Sequence, residues 1–128
     1  MATLQIKRAD IAGCGLSALC LAHCLALPLL TSFAPMLGAA FEAEWVHWAF
    51  VAFALPVALI AFLRPGVTQT ARVMGAMGLM LLIAGAAEFP SHDLEAPVSV
   101  TGALLLAGAH LVNVQRPDHR HKPSGGKP

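Results

Sequence analysis

The stretch IAGCGLSALCLAHCLALPLLTSFAPM, residues 11–36, decides the fold, because it is long and apolar enough to cross a lipid bilayer as a helix. A hydrocarbon core of about 30 Å needs roughly 17–25 such residues. Three further apolar stretches follow at residues 46–63, 73–89 and 98–114. Of the 128 residues, 57% are hydrophobic and only 12% are charged, about half the charged share of a soluble domain. The sequence predicts an all-α membrane protein, a single bundle of four transmembrane helices.

The charged residues predict the orientation of this bundle. All eight Lys and Arg residues lie before the first span, between the second and third, or after the fourth. The two remaining connections carry acidic residues instead: Glu42 and Glu44, then Glu88, Asp93 and Glu95. Basic residues near span ends stay on the cytoplasmic side, so both termini are expected there. Residues 1–9 would form a cytoplasmic lead, and the Pro-, Gly-, Lys- and His-rich residues 116–128 a disordered cytoplasmic tail.

Prolines and small residues predict local features of the four helices. Asp10 is a plausible N-cap of the first helix, Pro28 predicts a kink or break near residues 25–27, and Pro35 predicts its end. Pro56 predicts a kink in the second helix. Small residues recur in the third and fourth spans and predict close helix packing there: Ala71, Gly75, Gly78, Ala84 and Gly85, then Gly102, Ala103, Ala107 and Gly108. A cleaved secretory signal is not expected, because its apolar core spans only about 7–15 residues.

Two thiols and an imidazole, at Cys20, His23 and Cys24, lie on one face of the first predicted helix. Positions i, i+3 and i+4 are about 5–6 Å apart at Cβ, close enough to share one ion. Ionisable groups are costly inside a membrane, so they indicate a site, and thiolate with imidazole suits soft or borderline cations. We therefore predict a metal site near the middle of the bilayer. Ser17 shares this arc and Cys14 points away from it; the alternative is cysteines that only pack as small apolar residues.

Other donor residues extend the predicted site towards both ends of the bundle. Ions are expected to collect at a loop whose donors are Glu88, His92 and Glu95, with His47 nearby. They would pass to the thiols and leave past His110 and Asn113 in the fourth span. The alternatives are a solvated acidic loop and a histidine satisfied by a backbone carbonyl. His119 and His121 in the tail are weaker candidates.

The pattern Asp10-x2-Gly13-x3-Ser17-x2-Cys20-x2-His23-Cys24-x3-Pro28 resembles the first-span signature of the MerC family of mercuric-ion membrane transport proteins. Gly102, His110 and Asn113 are similar to that family's closing motif, and its polar positions fall at His47, His92 and Glu95. The resemblance covers most of residues 10–114. It implies a bacterial inner-membrane protein that moves mercuric ion inward to a cytoplasmic reductase, with Cys20 and Cys24 taking up the ion beside His23.

One departure from that family bears on the identity of the metal ion. Mercury-operon members typically carry a further cytoplasmic cysteine pair, whereas this sequence has no cysteine after Cys24. Zinc therefore remains open as the ion, since mixed thiolate–imidazole sites are usual for zinc. The expected partners are Hg²⁺ or Zn²⁺, the bilayer, a cytoplasmic metal acceptor and a second copy of the chain, with no enzyme activity, resident cofactor or nucleic acid. Three other functions stay open: a metal sensor or assembly factor without transport, a thiol/quinone redox protein, and a haem bundle using His23 and His110.

Overall fold

The structure, a computed structural model, describes residues 2–36 and 44–115, with only the backbone for residues 2–6. Within these ranges the chain forms four long helices and no β-strand: α1 (Ala2–Phe33), α2 (Glu44–Phe62), α3 (Gln69–Ala86) and α4 (Glu95–Val114). A 3₁₀ turn at His92–Leu94 leads into α4. Each of the four helical segments is long and apolar enough to cross a membrane. The predicted all-α architecture with four transmembrane helices is confirmed; Glu42, His119 and His121 lie outside the described residues.

The four helices form an antiparallel ring, in which α1 and α3 each pack against both α2 and α4. Asp10, Arg64 and Asn113 meet at one end of this ring, called here the Asp10 end. His47 and Glu95 meet at the opposite end, the Glu95 end. Apart from Asp10 itself, the described charges follow this division. Lys7, Arg8, Arg64 and Arg72 belong to the Asp10 end, and Glu44, Glu88, Asp93 and Glu95 to the other. Which end faces the cytoplasm stays a prediction.

Small residues bring α3 and α4 close together, as their spacing predicts. A Cβ atom added to Gly78 would lie 2.8 Å from the carbonyl oxygen of Gly102, and one added to Gly102 would lie 2.8 Å from that of Gly78. Neither backbone can give way, so only glycine fits at this crossing. In lipid, such close packing replaces the hydrophobic drive that holds soluble helices together. The outer surface is correspondingly apolar: Leu19, Phe53, Met80 and Leu104 are all more than half exposed.

The first helix differs from the prediction at its start and agrees at its end. It begins at Ala2, so the expectation that Asp10 is an N-cap is wrong: residues 2–9 contain neither Gly nor Pro and extend the helix upstream. Asp10 is instead 1% exposed within the bundle. The helix is unbroken at Pro28 and ends at Phe33, before Pro35. Pro28 still lacks an N–H, so the Cys24 carbonyl has no helical donor; kinks at Pro28 and Pro56 stay predictions.

Candidate metal-binding site

The two thiols of the predicted site lie inside the bundle on one face of α1. Cys20 is 3% exposed and Cys24 is 5% exposed, and Ser17 is buried one turn before them. All three cysteines are free thiols, and Cys14 is the half-buried one. This division follows from the helical period, because positions 17, 20 and 24 share a face that position 14 does not.

His47 connects the thiol-bearing face of α1 with the start of α4. It lies in the first turn of α2, is 8% exposed, and places its Nδ1 atom 2.8 Å from Oε1 of Glu95. Its ring meets the ring of His23 edge-on, with 5.4 Å between centroids. Cys24 lies within interaction range of Cys20, His23 and His47. The antiparallel packing of α1 and α2 thus adds a second imidazole to the thiol cluster of Cys20, His23 and Cys24.

One ring nitrogen beside these thiols, Nε2 of His23, is buried without a hydrogen bond. Nδ1 of His47 also lacks hydrogen-bond geometry, but it lies 2.8 Å from Oε1 of Glu95. Buried polar groups are nearly always paired, and unpaired ones need an explanation. Imidazole nitrogens next to two thiols are donors that a soft or borderline cation would engage. In the described structure, however, these donors do not converge: among the described residues, the group whose three ligand atoms all lie within 4.8 Å of one another is Glu88, His92 and Glu95. The residue types at the thiols therefore suit such a cation, and holding one requires the thiols and imidazoles to move closer together.

Glu88, His92 and Glu95, called here the acidic cluster, bring one possible ligand atom each to within 4.8 Å of one another. Nδ1 of His92 lies 3.4 Å from Oε2 of Glu88 and 3.4 Å from Oε2 of Glu95. The side chain of His92 is 76% exposed, whereas that of Glu95 is 15% exposed. Glu95 opens α4, where the helix dipole favours a negative charge. Because Glu95 also contacts His47, the acidic cluster and the thiol cluster are linked.

A cavity of about 470 Å³ runs along this link at the Glu95 end of the bundle. Its walls come from α1, α2, the 3₁₀ turn and the start of α4: Cys24, Leu27, Pro28, Thr31, His47, His92, Glu95 and Ala96. Beside Cys20 and Ser17 lies a separate void of about 10 Å³, roughly the least space that holds one water molecule. The cavity therefore reaches Cys24 from the Glu95 end, and the void described beside Cys20 is too small to continue it.

His110 and Asn113 do not join the thiols, because they bind Asp10 at the other end. Nδ1 of His110 lies 3.0 Å from Oδ1 of Asp10, and Asn113 Nδ2 donates to both carboxylate oxygens at 3.0 and 2.9 Å. Arg64 Nη2 donates to Oδ2 at 3.0 Å. These four residues are called here the Asp10 network. The partner of His110 is therefore a carboxylate, and the alternative of a backbone carbonyl is wrong.

Gly13 fixes the depth of His110 in the bundle. A Cβ atom on Gly13 would overlap the His110 ring, so this ring packs directly on the backbone of α1. Gly13 precedes Cys20 by seven residues, or about 10 Å of helix, and His23 by ten residues, or about 15 Å. One haem iron could not take both His23 and His110 as axial ligands across that distance, which excludes that alternative.

Residues 10–115 match the family described as MerC mercury resistance protein. The chain belongs to the MerC family. The family membership predicted from the first-span motif is thereby confirmed. No curated protein and no solved structure matches the chain. Family membership and four helices of membrane-spanning length make this MerC-family chain a multi-pass membrane protein related to mercury resistance.

The matched segment of this MerC-family chain begins at Asp10, which with Arg64 has a role in the site that sequence reasoning missed. As an N-cap, Asp10 would have stayed at the surface, whereas the structure buries it against three donors. A signal for this role was present, because Asp10 lies near the stripe of Ser17 and Cys20. A carboxylate on an inward face requires a cationic partner, and Arg64 supplies it.

Proposed function

We propose that this MerC-family protein transports a soft or borderline divalent cation across the bacterial inner membrane, mercuric ion by family and zinc as the alternative. The observation that carries the proposal is the unbroken series of donors from the exposed acidic cluster through His47 to Cys24. These donors lie along one cavity of about 470 Å³. In the orientation expected from the basic residues, both termini are cytoplasmic, so the cavity faces the periplasm.

The order of the donors supports transfer of a cation inward from the cavity. The carboxylates of the acidic cluster raise the local concentration of cations. His47 contacts both Glu95 and Cys24, so it can pass an ion from oxygen ligands to sulfur. Ligand softness increases along this series, and a soft ion such as Hg²⁺ therefore binds more tightly at each step. His110 and Asn113 would lie on the exit side.

The side chains at the thiol cluster suit either of the two ions, mercuric ion or zinc. Cys20, Cys24, His23 and His47 together provide two sulfurs and two imidazole nitrogens, a combination usual in tetrahedral zinc sites. Mercuric ion, a softer cation, would be held chiefly by the two thiolates. A cytoplasmic metal acceptor and a second copy of the chain are part of the proposal as partners, and a resident cofactor or enzymatic step is not.

Uptake into proteoliposomes tests the proposal directly. Purified wild type, Cys20→Ser, Cys24→Ser and Cys14→Ser are compared for entry of Hg²⁺ and of Zn²⁺. Uptake is expected in wild type and Cys14→Ser and to be lost in the other two, because only Cys14 lies off the buried face. Cys14→Ser is a matched control, since it makes the same chemical change on the same helix. Wild-type uptake by Cys24→Ser would overturn the mechanism.

A second candidate function is metal binding without transport, as in a sensor or an assembly factor. The small void beside Cys20 favours it, because about 10 Å³ offers an ion no passage at that place in this conformation. Tight binding that depends on Cys20 and Cys24, with no uptake of either ion, would select this function. Saturable uptake would exclude it.

A further inference from the structure

The carboxylate of Asp10 is held inside the Asp10 end of the bundle by three donor groups. Asp10 is 1% exposed and His110 is 0% exposed, so the charge is removed from water. A charge in such a place is tolerated only when it is paired and hydrogen-bonded. Arg64 supplies the positive charge through a hydrogen bond of 3.0 Å, and His110 and Asn113 complete the shell.

The same shell is built from groups that bind divalent cations. A carboxylate oxygen and an imidazole nitrogen are common ligands of borderline ions such as zinc. Nδ1 of His110 and Oδ1 of Asp10 are 3.0 Å apart, close to the roughly 3.3 Å between two such ligands of one tetrahedral zinc ion. Rotation of the Asn113 amide would present its carbonyl oxygen in place of its NH₂ group.

Arg64 is the positively charged partner of Asp10, and it donates to that carboxylate through one of its two terminal nitrogens, Nη2. Its Nη1 atom is buried without a hydrogen bond, so the guanidinium does not make the two-pronged contact that holds arginine most firmly to a carboxylate. Arg64 lies beyond the end of α2, and its side chain is 17% exposed. Arg72 anchors the Arg64 carbonyl at 3.0 Å. The side chain can therefore leave Asp10 while the loop backbone stays in place.

We propose that Asp10, His110 and Asn113 form a second divalent-cation site, and that Arg64 acts as a tethered cation that occupies it until an ion displaces it. The return of Arg64 to Asp10 would then release the ion from the bundle. This inference rests on the proposed function for the route by which ions arrive, but the binding of an ion at Asp10 does not require transport.

Zinc binding to the full-length protein tests the proposal apart from transport. All proteins carry Cys20→Ser and Cys24→Ser, which removes both buried thiols. A loss of metal binding by these thiols therefore cannot be mistaken for a failure of the site at Asp10. Stoichiometry and affinity are measured in nanodiscs by competition with a chromophoric chelator. Arg64→Gln is expected to bind one more Zn²⁺ per chain than its parent, or to bind it at least tenfold more tightly. Adding Asp10→Asn should abolish that gain.

The matched control is Arg8→Gln, which removes one positive charge from an exposed residue at the same end. It should leave zinc binding unchanged, because Arg8 has no part in the Asp10 network. No gain in Arg64→Gln, or a gain that survives Asp10→Asn, would overturn the proposal. If Arg64→Gln does not fold, Arg64→Lys keeps the charge without the planar guanidinium. Zn²⁺ should then raise its melting temperature more than that of the parent, and an equal shift would show the network to be structural only.

Discussion

Oε1 of Glu95 lies 2.8 Å from Nδ1 of His47, joining the first residue of α4 to the first turn of α2. The other oxygen of the same carboxylate lies 3.4 Å from His92, which is exposed. One side chain thus touches both an accessible imidazole and a buried one. Glu95 therefore connects the acidic cluster to His47, which in turn adjoins the thiol cluster.

Replacing Glu95 by Gln should weaken metal capture while the bundle remains folded. The change removes the carboxylate charge next to Nδ1 of His47. Residues that support a metal ligand in this way usually contribute about 10–100-fold to metal affinity, so we expect a loss of roughly that size. Zinc and mercury titrations of the purified protein measure the effect. Glu44→Gln is the matched control: it makes the same substitution at the same end of the bundle, where Glu44 accepts a hydrogen bond from Trp48 at 3.2 Å. Equal effects of both substitutions would contradict the role given to Glu95.

Glu88 lies at a backbone position that favours glycine, and this has a measurable consequence. Its φ is +52°, and it ends α3 in a turn where the Phe89 N–H bonds to the Ala84 carbonyl at 2.9 Å. A side chain in this left-handed conformation costs about 1 kcal/mol or more. Glu88→Gly should therefore raise the free energy of unfolding by about 1 kcal/mol while reducing metal capture.

Glu88→Ala separates these two effects. It removes the carboxylate but retains the backbone cost, so metal capture should fall as in Glu88→Gly without a gain in stability. Reversible unfolding in mixed micelles, followed by circular dichroism, provides the comparison. Equal stability of the two variants would show that the conformation of Glu88 carries no cost.

Gly13→Ala should loosen the Asp10 network from within α1. The added methyl group would overlap the His110 ring, which is also packed against Phe62 with 4.6 Å between ring centroids. Overpacking of this kind costs about 1–3 kcal/mol. Gly15 is exposed, and a Cβ atom added to it would have nothing within 4 Å, so Gly15→Ala should instead stabilise the helix by roughly 0.5–1 kcal/mol. Unfolding of the two variants under identical conditions would reveal opposite signs, and the same sign for both would contradict the packing.

Metal binding at the thiol cluster should release protons and become tighter as the pH rises. Thiols bind metal as thiolates, so each cysteine that is protonated in the empty protein loses its proton on binding. Calorimetric titration in buffers with different ionisation enthalpies measures the number released. The Cys20→Ser and Cys24→Ser variants should release fewer protons than wild type, whereas Cys14→Ser should match it. Proton release that is unchanged by Cys24→Ser would exclude this thiol as a ligand.

The sequence alone was sufficient to predict the four helices, because segments that cross a bilayer must be long, apolar and internally hydrogen-bonded. It also predicted which side chains share a face of α1, since the helical period fixes the relation of Cys20, His23 and Cys24. The acidic cluster was predictable because its residues are neighbours in the sequence. Glu88, His92 and Glu95 are close in sequence, and a short turn is enough to bring them together.

Contacts between distant parts of the chain were decided only by the tertiary structure. His47 reaches Cys24 and Glu95, and Asp10 reaches Arg64, 54 residues later, because of how the helices are rotated and offset against one another. Local pattern does not decide these contacts: the stripe that Asp10 shares with Ser17 and Cys20 allows an inward carboxylate, but it does not say which residues of other helices would meet it. The physical cost of an unpaired charge in the bundle determined the outcome, since Asp10 can be buried only where Arg64, His110 and Asn113 all meet it.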